Sequence, residues 1–245
     1  MNQRALWLLA VAGYAGTAGA DWSVTLTGAS DYLFNGVTQT GHQPSAQAGL
    51  DWSGVSGLYA GLWASNVDFG DDTAAEVDGS LGYRFEFRPG SSVDVGLALY
   101  TYHGGGDSSE SNYPEVYLKL GIAGVNLNLW YSHDYSGLGV GHLVVMLHKD
   151  FEINDRWTIA AQLSRSTSLD ADRFAWDGDR DHYLHWQVMN KTAYAGFDLA
   201  LGLSGTTLGD ESGDPVLVFT MGRTFRFEWL GLRVRTRAAD PRTLS

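Results

Sequence analysis

Between Ala75 and Phe87 the chain reads AEVDGSLGYRFEF, with an apolar residue or Gly at every odd position and a polar, charged or Gly residue at every even one. A period of two means a β-strand with one apolar and one polar face. The pattern recurs along most of the chain. DWSVTLT sets Trp22, Val24 and Leu26 against Ser23, Thr25 and Thr27, and its phase runs on through SDYLFNG, where Tyr32 and Phe34 oppose Asp31 and Asn35. SAQAGLDW, PEVYLKL, VNLNLWYS, RWTIAAQLS and YAGFDLALGLS alternate in the same way, whereas GLYAGLWASNV and HLVVMLHKD have no readable phase. With VDVGLALYTY, YLHWQVMN and VLVFTMGRTFRF the pattern predicts twelve strands. Long connections (residues 36–44, 68–73, 103–112, 133–141, 166–181 and 205–214) alternate with short ones (53–57, 89–92, 121–124, 152–155 and 190–192).

Alternation alone also fits a soluble β-sandwich with its apolar faces turned inward. Three features favour lipid outside. The segments run near the ~9–11 residues that a tilted strand needs to cross a bilayer. Long loops alternate with tight turns, as in barrels whose two rims face different compartments. Aromatics gather near segment ends, at Trp22, Trp52, Tyr83, Phe85, Phe87, Trp157 and Phe225, as in an interfacial girdle. In lipid every backbone N–H and C=O must be paired within the protein, so the sheet must close. The expectation is all-β: a closed antiparallel transmembrane up-and-down β-barrel of about 12 strands, with both ends on the short-turn rim.

The N-terminus adds an address. Arg4, the apolar ALWLLAVAGY and Ala18-Gly19-Ala20 have the layout of a cleaved secretory signal peptide over residues 1–20. Residues 21–227 are the predicted barrel and 228–245 an Arg-rich tail holding Arg233, Arg235, Arg237 and Arg242. With 28 Asp and Glu against 16 Lys and Arg, the chain is a poor nucleic-acid partner. It has no Cys, which excludes disulfides and thiolate metal sites.

Asp31, Asp51, Glu76, Asp78, Arg84, Glu86, Glu115, Lys119 and Asp198 fall on the polar faces and are the candidate pore-lining residues. Inward Tyr100, Tyr102, Tyr117 and Trp130 would narrow the lumen, and Arg84 could pair with Glu76 or Glu86 across it. Twelve strands lie between the ~8 of a filled barrel and the ~16–18 of an open porin. Fourteen of the 28 acidic residues sit in the long loops, where they would attract cations to one rim. Three strings carry weak catalytic or metal signals. HGGG at 103–106 lacks the G-x-S-x-G elbow that an esterase needs. His133-Asp134 carries no triad information by spacing. DGDRDH at 177–182 lacks the Gly and the twelfth-position Glu of a calcium loop. No catalytic residue, metal or cofactor is assigned.

SDYLFNGVTQTGHQPSAQAGLDW followed by GLYAGLWASNVDF resembles the opening of the TorF-type porins, the Gcw-type family of proteobacterial proteins, and YPEVYLKLG and YAGFDLALGLSGTT are similar to later stretches of it. Asp31, Tyr32, Gln39, Ala46, Asp51, Tyr59, Gly61, Ser65, Asn66 and Val67 match its recurring positions. The resemblance implies an outer-membrane barrel with passive transport and no catalytic residue. Separately, TMGRTFRF resembles the signal that barrels present to their insertion machinery, through Thr220, Gly222, Phe225 and Phe227. The expected function is an outer-membrane porin passing small hydrophilic, cationic or neutral solutes. Its expected partners are outer-membrane lipid, lipopolysaccharide and that machinery. An outer-membrane hydrolase or lipid-modifying enzyme, and a plugged structural or adhesive barrel, are the alternatives.

Overall fold

The computed structural model describes residues 21–209 and 213–228. The predicted signal peptide and the tail beyond Glu228 lie outside the described residues. The strands are β1 Asp21–Ala29, β2 Leu33–Phe34, β3 Val37–Thr38, β4 Ser45–Ser53, β5 Leu58–Asn66, β6 Ala75–Arg88, β7 Ser91–His103, β8 Tyr113–Ile122, β9 Val125–Ser132, β10 His142–Glu152, β11 Thr158–Ser168, β12 His182–Tyr194, β13 Phe197–Thr206 and β14 Val216–Glu228. From β4 to β14 each strand pairs antiparallel with the next. β1 pairs with β4 on one side (Ala29 opposite Ser45) and with β14 on the other (Ala29 opposite Thr220), so twelve strands close on themselves. Closure pairs the backbones of all twelve barrel strands without leaving an edge, as expected, and excludes the alternative sandwich, whose two sheets would each keep edges.

The first strand differs from the sequence reading. It stops at Ala29, and residues 30–44 fold as a long connection holding the small ribbon β2–β3. The cause is local: Asn35 and Gly36 both take positive φ (47° and 88°), the two-residue turn that Asn-Gly favours. That turn overrides an alternation that otherwise continues through Phe34. Tyr32 and Phe34 therefore do not face outward.

The two faces separate cleanly. Outward positions carry Leu26, Leu62, Leu81, Leu97, Leu163 and Leu201, each about half exposed. Such an apolar belt is far larger than a water-soluble surface tolerates. Every acidic residue of β4–β13 (Asp51, Glu76, Asp78, Glu86, Asp94, Glu115, Asp150, Glu152 and Asp198) occupies the opposite register. Outward charges in these strands are basic and lie near strand ends: Lys149 sits 5.0 Å over the Phe151 ring. In β14, Arg223 sits 5.4 and 5.3 Å from the Phe197 and Phe225 rings. The apolar face is thus the outer face, inverted relative to a soluble protein.

Candidate functional site

The lumen has two levels. On the short-turn side, cross-strand register aligns Arg84, Asp94, Lys119 and Asn128 in one row. Tyr59 donates to Asp94 Oδ1 at 2.5 Å and lies 2.6 Å from the Tyr117 hydroxyl. Since Tyr59 spends its only proton on the carboxylate, Tyr117 must be the donor in that second bond. Both rings lie flat against the wall because Gly82 and Gly96 are there; a Cβ at either would collide with a tyrosine ring. Across the barrel Lys191 Nζ reaches Asp150 Oδ1 at 2.9 Å, with His148 Nε2 at 3.2 Å from the same oxygen.

On the loop side the lumen is crossed by aromatic rings. Phe34 packs edge-on against Tyr100 (5.8 Å), which stacks on Tyr113 (4.7 Å). Tyr113 meets Tyr135 (5.1 Å), Tyr135 meets Trp176 (5.7 Å), and Trp176 meets Tyr183 (4.7 Å). The Tyr183 hydroxyl then donates to the Asn35 carbonyl at 3.1 Å, beside Phe34 again. Three long loops and three wall strands thus form one closed ring of side chains. Burial holds the Tyr135 phenol well above its ordinary range, with the Tyr183 phenol as the next cause.

The β2–β3 ribbon completes that ring because it has an anchor on each wall. Leu33 packs on an inward apolar patch of Ala160, Met189, Ala200 and Val218, and Phe34 on the tyrosines opposite. A Cβ at Gly36 would lie 2.6 Å from both His185 and Thr206, so only Gly lets the turn seat this deeply. Asp31 fastens the loop: its carboxylate accepts from Thr38 Oγ1 (2.7 Å) and Thr40 Oγ1 (3.1 Å), and His42 Nδ1 lies 2.8 Å away.

Glu76, Asp78 and Glu115 lie at the ring's level, opposite or beside Tyr102, Tyr100 and Tyr113 in register. Glu76 and Asp78 are each 1% exposed, and Glu115 is also buried. Among the described residues none of the three forms an ion pair. Among the described residues, Glu76 Oε2, Asp78 Oδ1 and the Tyr32 hydroxyl find no partner within hydrogen-bond geometry. Burial, with Glu76 and Asp78 nearby, holds the Tyr32 phenol well above its ordinary range.

Of the nine candidate lining residues, Asp51, Glu76, Asp78, Arg84, Glu86, Glu115, Lys119 and Asp198 sit on inward wall positions, while Asp31 is inside but belongs to the loop. Tyr100, Tyr102 and Tyr117 are buried inward and Trp130 packs beside them, narrowing the lumen. The expected Arg84 pairings fail. Glu76 is eight residues from Arg84 along one strand, roughly 26 Å at ~3.3 Å per residue. Glu86 instead accepts from the Gly90 backbone at 3.1 Å. Sequence reasoning missed Asp94, His148, Asp150 and Lys191. Asp94 was legible, since Val93, Val95, Leu97 and Leu99 alternate around it; Asp150 was not, because Val144 and Met146 make β10 apolar on both faces.

Thr220 and Gly222 take inward register positions in β14. Phe225 and Phe227 face outward opposite Val24 and Trp22, at the short-turn rim. Among the described residues no Ser–His–Asp set is hydrogen-bonded: His185 contacts Ser164 (3.3 Å) and Ser204 (3.0 Å) without an acid. In the DGDRDH loop the Asp177 carboxylate is engaged by Arg180 (2.5 Å) and the Gly209 N–H (3.0 Å).

The solved structures with similar folds include the "KdgM porin" (9% identity, TM-score 0.52, covering 84% of this chain and 98% of that one) and the "NanC porin" (12% identity, TM-score 0.51, covering 82% and 98%). At these identities the likeness shows a shared barrel fold. Another similar structure is titled "KdgM porin in complex with disordered oligogalacturonate" (9% identity, TM-score 0.51, covering 84% and 98%). No curated protein matches the sequence. A family model matches residues 14–225, most of the chain, and on that match the chain belongs to the family described as "Bacterial protein of unknown function (Gcw_chp)".

Proposed function

We propose that this protein is an outer-membrane channel through which small hydrophilic solutes diffuse passively, with preference for cations. The apolar belt suits membrane lipid around the barrel. Phe225 and Phe227, outward at the short-turn rim, support recognition by the barrel-insertion machinery. One observation carries the solute preference: all nine acidic residues of β4–β13 point inward, and the three at the aromatic ring lack a basic partner among the described residues. In a narrow, low-dielectric bore such carboxylates lower the barrier for cations and raise it for anions. The oligogalacturonate named for the KdgM structure is a polyanion, and this lumen would repel one.

The test is conductance of the refolded full chain in planar bilayers under a KCl gradient. The expected result is a small conductance with a cation-selective reversal potential, shifted toward zero in Asp51→Asn and Glu115→Gln. Silence from protein whose closed barrel is confirmed by heat-shifted gel migration would overturn the proposal. It would favour a second reading, a plugged structural barrel, which the wall-to-wall β2–β3 ribbon supports.

A further inference from the structure

Buried polar atoms are almost always hydrogen-bonded, and each exception calls for an explanation such as an absent ion or ligand. Three exceptions gather on the loop side of the lumen. Glu76 Oε2 and Asp78 Oδ1 belong to side chains two residues apart on one strand face, each 1% exposed. The third is the hydroxyl of Tyr32, 4% exposed, which comes from the loop folded over that strand and is not part of the acidic pair. Tyr32 packs on Trp63, the register partner of Asp78, and its hydroxyl lies within interaction range of Glu76, so the three are neighbours. The surroundings are aromatic: Tyr32 meets Trp63 at 5.2 Å, and Tyr100 and Tyr102 stand beside Asp78 and Glu76 in register.

We infer that Glu76, Asp78 and Tyr32 form a binding site for a small organic cation bearing a primary ammonium group. The proposal deepens the channel reading and rests on it for the ligand's access. An ammonium carries three diverging N–H donors and no acceptor, which matches three acceptor oxygens on three different side chains. A guanidinium would favour both oxygens of one carboxylate, and only one oxygen of each is buried without a partner here. A metal ion fits poorly, since among the described residues no three His, Asp or Glu side chains are grouped to hold one. Aromatic walls suit the ligand's methylenes and attract the cation through their ring faces.

The probe is 1,4-diaminobutane, titrated calorimetrically into the full chain refolded in detergent, with tetramethylammonium and Mg²⁺ as comparisons. Saturable binding of the diamine is expected. Glu76→Gln and Asp78→Asn should each weaken it by roughly tenfold or more, the scale of one charge-assisted hydrogen bond. Tyr32→Phe should weaken it less, and it covers the case in which a carboxylate variant fails to close its barrel. Absence of diamine binding to the wild type would overturn the inference, as would binding indifferent to all three substitutions. Equal binding of tetramethylammonium would reduce the site to an aromatic cage, and tighter binding of Mg²⁺ would make it a metal site; either result also overturns it. Potassium conductance on the same preparation separates the two proposals. Conductance without diamine binding sinks only this site, and diamine binding without conductance sinks only the channel.

Discussion

The two walls that the β2–β3 ribbon touches are built from different chemistry. The β6–β8 wall is large and acidic: Tyr100, Tyr102, Tyr113 and Tyr117 alternate with Glu76, Asp78, Asp94 and Glu115. The loop-side half of the β11–β13 wall is small and neutral: Ser164, Ser166 and Ser204 surround His185 and Gln187, above Ala160, Met189 and Ala200. The first wall fills the lumen with its own side chains, and the second leaves room that a loop must fill. The ribbon sits against the second wall with its aliphatic Leu33 and against the first with its aromatic Phe34. A barrel of this strand number can therefore be narrowed asymmetrically, by rings from one side and by a folded loop from the other.

The largest effect is expected from removing the inserted element. Replacing residues 33–38 with a Gly-Ser segment should raise single-channel conductance several-fold, because the aromatic ring loses the member that bridges both walls. Unchanged conductance would mean that the β6–β8 tyrosines alone set the constriction.

A matched pair of substitutions compares the walls directly. Gly82→Ala forces a methyl into the Tyr59 ring and disturbs the Tyr59–Asp94 and Tyr59–Tyr117 bonds, so it should cost about 1–3 kcal/mol, the usual range for overpacking. Ser204→Ala removes one hydrogen bond to His185 and should cost about 1 kcal/mol. Urea unfolding in detergent, followed by tryptophan fluorescence, would measure both. A larger loss at Ser204 would mean that the tyrosine wall is not the more tightly packed of the two.

The smallest effect lies at the outer edge of the small-residue wall. His182 Nδ1 lies 2.6 Å from Asp181 Oδ1, and this hydrogen bond holds the Asp181 carboxyl below its ordinary value of 3.8. A depressed carboxyl stabilises the fold above its unfolded pKa, and the contribution is lost as pH falls through the folded value. His182→Ala should return the Asp181 midpoint toward 3.8, read by carboxyl carbon NMR, with little change in conductance. A midpoint unaffected by the substitution would assign the shift to another neighbour.

How far the sequence could be read depended on whether a strand's two faces differed. β6 was legible to its last residue, because lipid and lumen demand opposite polarity at every step. β10 was not: Val144 and Met146 face inward and erase the alternation, which hid Asp150 and its partners His148 and Lys191. In the first connection, alternation pointed to strand through Phe34, while Asn35-Gly36 pointed to a turn, and the turn prevailed. Of the candidate site, the inward carboxylates were legible as a set, but that Glu76, Asp78 and Glu115 form no ion pair among the described residues was not, since pairing depends on distances between strands.

The sequence by itself determined the count of barrel strands and, in those that alternate, which face is apolar, because a period-two pattern is a property of consecutive residues. Only the tertiary structure decided that the first loop turns into the barrel, that rings from six distant segments close a circuit, and that Glu76, Asp78 and Tyr32 meet without a basic side chain among the described residues. Those outcomes depend on cross-strand register and on space left by small residues on the opposite wall, and neither is encoded in any one stretch of chain.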